Sequence, residues 1–281
     1  MKRLLVTAAM LALCVAAKAE EGAANATRYV WANTLIVRAE PNPKATEVAR
    51  LPYGSEVALL AETGPSRREV LLKLAKKDEW PAADVALEGN WRRVHSSSGE
   101  GWVFDAYLLR YPAPTIMLDK SKEDADGRVE FAKRIFGVKE AHKWAFESGK
   151  TAVDYRMMLS RTKLKENEID QETSWEYIVF KNGGTYEMFS HRPKNGPYMS
   201  NVDFENLPFT YGEALLWLKQ FHGFESMGGT NVNGIGRLSG KVEPGRHLEL
   251  GPAPDDDSGF GYRSTLDCTP TACSLNSGFI D

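Results

Sequence analysis

Gly99-Glu100-Gly101-Trp102-Val103, followed after three residues by Tyr107-Leu108, decides how the first part of this chain folds. Glycine on both sides of one residue lets a strand bend or take a positive φ, and Trp-Val followed by Tyr-Leu supplies apolar side chains for a narrow interior. Upstream, Trp91-Arg92-Arg93-Val94 reads as a strand that Ser96-Ser97-Ser98-Gly99 turns back on itself. Farther upstream, Leu35-Ile36-Val37 is a β-branched strand that ends at Pro41-Asn42-Pro43. Val48 and Leu51 precede a turn at Pro52-Tyr53-Gly54, and Val57, Leu59 and Leu60 restart a strand. Short β-rich runs separated by turn residues, from about 28 to 110, predict an all-β barrel. Gly54 and Gly101 are expected where the barrel bends or takes a positive φ.

These residues resemble a known family. Leu35-Ile36-Val37-Arg38-Ala39-Glu40-Pro41, with Val48, Leu51, Gly54 and Val57 behind it, is similar to the opening of bacterial SH3 (SH3b) domains. Trp91-Arg92-Arg93-Val94 and the Gly-Trp-Val and Tyr-Leu runs are similar to the closing half. Asn is common in the family where Ile36 stands here. The resemblance implies a small SH3-like barrel that binds cell-wall peptide, other peptides or neighbouring domains. Tyr53, Trp80 and Tyr107 are the aromatic candidates for its binding surface, although aromatics in so small a barrel also serve as core.

Between Leu60 and Trp91 the chain departs from the family with an insertion at about 61–90. It carries Arg67-Arg68-Glu69-Val70-Leu71-Leu72-Lys73-Leu74-Ala75-Lys76-Lys77 and then Asp78-Glu79-Trp80-Pro81. Two forms fit: a lengthened hairpin, or a short amphipathic helix over one end of the barrel. A long insertion in a compact domain is either functional or a tolerated surface feature.

The N-terminus has the three parts of a secretory signal over residues 1–19: basic Lys2-Arg3, an apolar run from Leu4 to Ala16, and the small-residue site Ala17-Lys18-Ala19. The apolar run is shorter than the ~20 residues needed to span a bilayer. Cys14 follows Leu13 rather than a small residue, so ordinary cleavage after Ala19 is expected in preference to lipidation. Cleavage removes Lys2, Arg3 and Lys18 and no acid, taking the net charge from -3 to about -6. A mildly acidic mature chain lacks the basic footprint of a nucleic-acid or anionic-membrane binder. Of three cysteines, Cys268 and Cys273 remain, and in an oxidising compartment they are expected to close a short disulfide loop.

Tyr111-Pro112-Ala113-Pro114 reads as a stiff linker over 111–120. In the region 121–281, Ser121 with Glu123 and Asp124 resembles a helix start, and Val129, Ala132, Ile135 and Phe136 share one helical face. From about 151 the period becomes two: Val153, Tyr155, Met157 and Leu159 alternate with Asp154 and Arg156, which predicts a strand. Trp175–Phe180 and Thr185–Phe189 flank Asn182-Gly183-Gly184, a hairpin signal. Thr210-Tyr211-Gly212-Glu213 is a capping box for a helix that carries Leu215, Trp217, Leu218 and Phe221, with Gly223 as its stop. Glu243-Pro244-Gly245-Arg246 marks a further hairpin. The whole is expected to be mainly β / α+β: a small SH3-like barrel followed by an α+β domain with antiparallel hairpins.

No catalytic constellation is legible. Asp267-Cys268 is similar to the nucleophile region of wall-cleaving cysteine peptidases, yet Thr269-Pro270 follows it and no histidine lies beyond His247. His95, His142, His191, His222 and His247 lack zinc-ligand spacing, so neither a metal nor another cofactor is expected. The Asp255-Asp256-Asp257 run lacks the spacing of a calcium loop, and Gly234-Ile235-Gly236 lacks a dinucleotide-binding setting. Paired carboxylates of a glycosidase would be distant in sequence, and 38 acidic residues give no way to choose two. The expected function is therefore binding, in the periplasm or after secretion, with peptidoglycan or an envelope protein as partner. Neither nucleic acid nor stable membrane insertion is expected. The alternatives are a wall hydrolase with its catalytic domain in 121–281, or an inhibitor or immunity protein.

Overall fold

The computed structural model describes residues 25–76, 80–114, 125–146, 151–169, 172–192, 198–226, 238–251 and 261–280. Residues 1–19, expected as a signal segment, with Cys14, and Asp78-Glu79, Ser121, Gly234-Ile235-Gly236 and Asp255-Asp256-Asp257 lie outside the described residues. The fold is mainly β with an α+β part, as the sequence predicts. The chain divides into two compact units: residues through Arg68 with Glu88–Thr115, and Glu69–Leu87 with the residues from Ile116 on.

The first unit is a curled antiparallel half-barrel. Its strands are β1 (Thr27–Val30), β2 (Thr34–Arg38), β3 (Glu47–Pro52), β4 (Glu56–Leu74), β5 (Ala83–Ser96), β6 (Gly99–Phe104) and β7 (Leu108–Leu109). They lie in the order β3-β2-β6-β5-β4-β1-β7, with a 3-10 turn at Asp105–Tyr107 before the last strand. Alternation along the strands turns Val30, Leu35, Val37, Leu51, Val57, Leu59, Val94 and Val103 into one core, which Leu108 completes. Val48 departs from this pattern, at 50% exposure on the edge strand β3.

The two glycines solve different problems. Gly54 takes φ +81 in the turn after β3. Gly101 needs no positive φ; a Cβ there would stand 2.4 Å from Val37 Cγ1 and 2.9 Å from the Arg38 carbonyl oxygen, so its bareness lets β2 and β6 approach. At Tyr111–Pro114, the Tyr111 carbonyl accepts from Trp31 Nε1 at 2.9 Å and Ala113 is buried.

The insertion is a lengthened hairpin. β4 runs unbroken to Leu74 and β5 begins at Ala83, so the amphipathic-helix alternative does not hold. The outer half of this ribbon belongs to the second unit, where Leu74, Val85 and Leu87 are buried. Ala75 bridges Ser239 in parallel, and its N–H donates to the Leu238 carbonyl at 2.8 Å.

The second unit contains helices α1 (Ala125–Phe136), α2 (Ala152–Thr162) and α3 (Tyr211–Ser226). Its strands are β8 (Val138–Ala145), β9 (Ser174–Phe180), β10 (Thr185–His191), β11 (Met199–Leu207), β12 (Ser239–Glu243), β13 (His247–Gly251), β14 (Gly261–Cys268) and β15 (Cys273–Ile280). They form one antiparallel sheet in the order β12-β13-β14-β15-β11-β10-β9-β8. One face is apolar, with Ile178, Tyr186, Phe204, Leu275, Leu266 and Leu248 in a row of directly opposed residues. Phe204 and Phe209 meet Trp217 of α3, and Phe136 of α1 meets Phe180. Residues Ala214 to Leu218 of α3 are all buried, so this helix is apolar around its whole circumference there.

Two expectations are corrected. Residues 152–162 form helix α2, not a strand. Thr151 caps it by accepting from the Asp154 N–H at 3.3 Å, and Tyr155, Met158, Leu159 and Thr162 follow helical spacing with Met158 fully buried. The short alternation from Val153 to Leu159 fits either period, and cap and helix-forming residues decide it. Gly223 does not end α3, which continues to Ser226. A glycine inside a helix costs only about 1 kcal/mol relative to Ala, and the buried turns before it exceed that. The capping box itself is present, with Thr210 N–H donating to Glu213 Oε2 at 2.9 Å and Glu213 N–H to Thr210 Oγ1 at 3.3 Å.

Candidate functional site

On the barrel, the two tyrosines singled out from the sequence flank one segment. Tyr53 follows β3, and its N–H donates to the Asn33 carbonyl at 3.2 Å. Tyr107 closes the 3-10 turn, and its carbonyl accepts from the Trp31 N–H at 3.0 Å. The loop from β1 to β2 is therefore tied to both. Tyr107 packs against the barrel core and sets its ring edge-on to Phe104 at 5.9 Å. Both tyrosines are half-buried, each combining an anchored body with some exposed surface. Trp80 belongs to the second unit. There the Arg263 guanidinium lies 6.0 Å from its ring centroid, and the ring lies beside Gly251.

The second unit carries a constellation that the sequence does not reveal. Register places Tyr177, Glu187, Asp203, Asn276, Thr265 and Glu249 directly opposite one another, strand after strand, on the face away from α3. Helix α2 packs over one end of this face, where Met158 joins Trp144 and Trp175 in a core cluster. Arg161 of α2 reaches Glu187 with Nε at 2.9 and 3.0 Å and Nη2 at 2.5 Å, and its guanidinium stacks 3.9 Å from the Tyr177 centroid. Trp175 Nε1 donates to Glu187 Oε1 at 2.7 Å.

Asp203 sits beside this clamp, half-buried. It accepts from Asn201 Nδ2 at 2.5 Å and from Asn276 Nδ2. Burial pushes its carboxyl up to about 6, with Glu187 and Glu205 adding to the rise and Asn276 and Arg161 opposing it. Hydrogen bonding to Glu187 in turn raises the Arg161 guanidinium above its ordinary value. A protonatable acid next to an arginine-bound carboxylate is chemistry that loop motifs do not announce. Only the strand register brings Glu187 and Asp203 together.

Cys268 and Cys273 form a disulfide with S–S 2.02 Å across the β14–β15 hairpin, where they are directly opposed. The bond leaves Cys268 no free thiolate for nucleophilic catalysis, and such bonds persist in oxidising compartments outside the cytoplasm. His142 and His247 each place Nδ1 on a carboxylate, Asp154 at 2.9 Å and Asp267 at 2.7 Å. Among the described residues no group of three metal-ligating side chains converges, and no helix is long and apolar enough to cross a membrane. No protein-family model, curated protein or solved structure matches the chain.

Proposed function

We propose that this chain is an exported, non-catalytic binding protein of the bacterial envelope, whose barrel engages cell-wall peptide or an envelope protein. The observation that carries the reading is a coincidence of positions. Of the residues that bear the likeness to SH3b domains, Leu35, Val37, Leu51, Val57, Trp91, Val94, Val103 and Leu108 are buried, while Val48 is exposed. A 3-10 turn before the last short strand accompanies them. The leader-like residues 1–19 and the Cys268–Cys273 disulfide supply a compartment consistent with it.

One observation favours a second reading, a wall hydrolase. Asp203 and Glu187 are two neighbouring carboxyl groups in unlike environments, the arrangement that acid–base catalysis uses. A single preparation separates the two. Purified protein without residues 1–19 is mixed with dye-labelled sacculi and with detergent-solubilised envelope extract. Saturable retention on the sacculi, or one specific envelope partner, without release of dye supports binding. Release of dye that Asp203→Asn abolishes replaces it with the hydrolase, and the absence of both retention and release removes the proposal.

A further inference from the structure

The polar face of the second unit holds an arrangement that sheet formation by itself opposes. Glu187 on β10 and Asp203 on β11 are directly opposed, where like charges disfavour pairing. Glu205, two positions along β11, lies on the same face and adds a third carboxylate. From α2, Arg161 answers them, bound to Glu187 through Nε and Nη2 of one guanidinium edge and acting on Asp203 and Glu205 through its charge. From β15, Asn276 donates to Asp203, and Asn201 donates from its own strand. From β9, Tyr177 contributes the ring beneath Arg161.

We propose that Asp203, Glu187 and Arg161 form a proton-operated latch between α2 and the sheet. One proton taken from solvent by the Asp203 carboxylate ends the charge contact across β10 and β11, and it removes one of the three acids that attract Arg161. No other bond forms or breaks.

Geometry sets the direction of the change. With Asp203 ionised, Arg161 is attracted by all three acids and α2 is held down most firmly, while the two strands repel. With Asp203 neutral, the repulsion between Asp203 and Glu187 is gone and Arg161 keeps Glu187 and Glu205. Mild acidification therefore tightens the sheet and loosens the helix. Both forms of Asp203 are accommodated. The two carboxamides donate to the carboxylate, whereas burial and the flanking acids favour the neutral acid. The changeover consequently falls in weakly acidic solution rather than near pH 4, where a free aspartate titrates. The latch is independent of what the barrel binds.

Carboxyl-carbon NMR titration of the full chain tests this, with the Asp203 signal assigned by its loss in Asp203→Asn. The expected midpoint lies at least about one unit above that of a free aspartate. Glu187→Gln is expected to move it down and Arg161→Gln to move it up. Amide exchange across residues 152–162, corrected for intrinsic rate, is expected to quicken several-fold between pH 7 and pH 5 in the parent and to stay flat in Asp203→Asn. Should Asp203→Asn not fold, Glu187→Gln takes its place, with the quickening displaced to lower pH. A midpoint that ignores both Glu187→Gln and Arg161→Gln leaves burial as the sole cause and overturns the latch. Helix exchange that responds to pH equally in the parent and the variant overturns it too.

Discussion

At the scale of single residues, Asp203 shows how a sheet tolerates opposed carboxylates: it keeps a proton longer than aspartate ordinarily does. Its folded pKa of about 6 lies above the ordinary 3.8, so the folded state binds the proton more tightly than the unfolded one. The stability from this group is fully present below about pH 4 and is lost as pH rises through about 6. Asp203→Asn is therefore expected to raise unfolding stability at pH 7 by about 1 kcal/mol, the shift being discounted for solvent screening of a half-exposed group. At pH 4 the difference should vanish, and denaturant midpoints at the two pH values measure it. Gly101 makes the opposite case, a residue whose smallness is structural. Gly101→Ala puts a methyl 2.4 Å from Val37 Cγ1 and is expected to cost about 1–3 kcal/mol in the same assay. That a glycine matters at 101 was legible in the sequence, but its reason was not: a bend or positive φ was expected, and the close approach of β2 is what requires it. The Asp203 site was not legible, because Glu187 and Asp203 meet only through the register of two strands.

At the scale of elements, local chemistry was readable wherever it was complete. Asn182-Gly183-Gly184 announced the β9–β10 hairpin, and Gly183 takes φ +89 there. Glu243-Pro244-Gly245-Arg246 did the same for β12–β13, with Gly245 at φ +75. Helix α2 was misread because its alternation from Val153 to Leu159 is too short to separate two periods, while the deciding signals sit at its ends. Thr151 caps one end, and Lys163 takes the left-handed conformation with φ 63 at the other. The long β4–β5 ribbon was ambiguous for a different reason: the partners that bury Leu74, Val85 and Leu87 lie far away in sequence. The disulfide belongs to this scale as well. It closes a loop with sequence separation 5 at a hairpin end. Replacing both Cys268 and Cys273 by serine is expected to cost about 2 kcal/mol by loop entropy. Thermal unfolding of the second unit with and without reductant should show the same loss in the parent and none in the double variant.

At the scale of the whole molecule, the two units differ in how far they can be read. The half-barrel is built from short strands whose alternation fills one core, and its reading as a binding module is the proposal made above. The second unit pairs an apolar sheet face, filled by α1 and α3, with a polar face that bears the Arg161–Glu187–Asp203 group. The proposed binding through the barrel makes a spatial claim that hydrogen exchange addresses directly. The chain without residues 1–19 is exchanged with and without soluble muropeptides and, separately, with any envelope protein it captures. The account predicts slowed exchange within residues 25–68 and 88–114, centred on the Tyr53 turn and the Tyr107 turn. Slowing confined to residues 125–280, or no slowing with any of these partners, would contradict it.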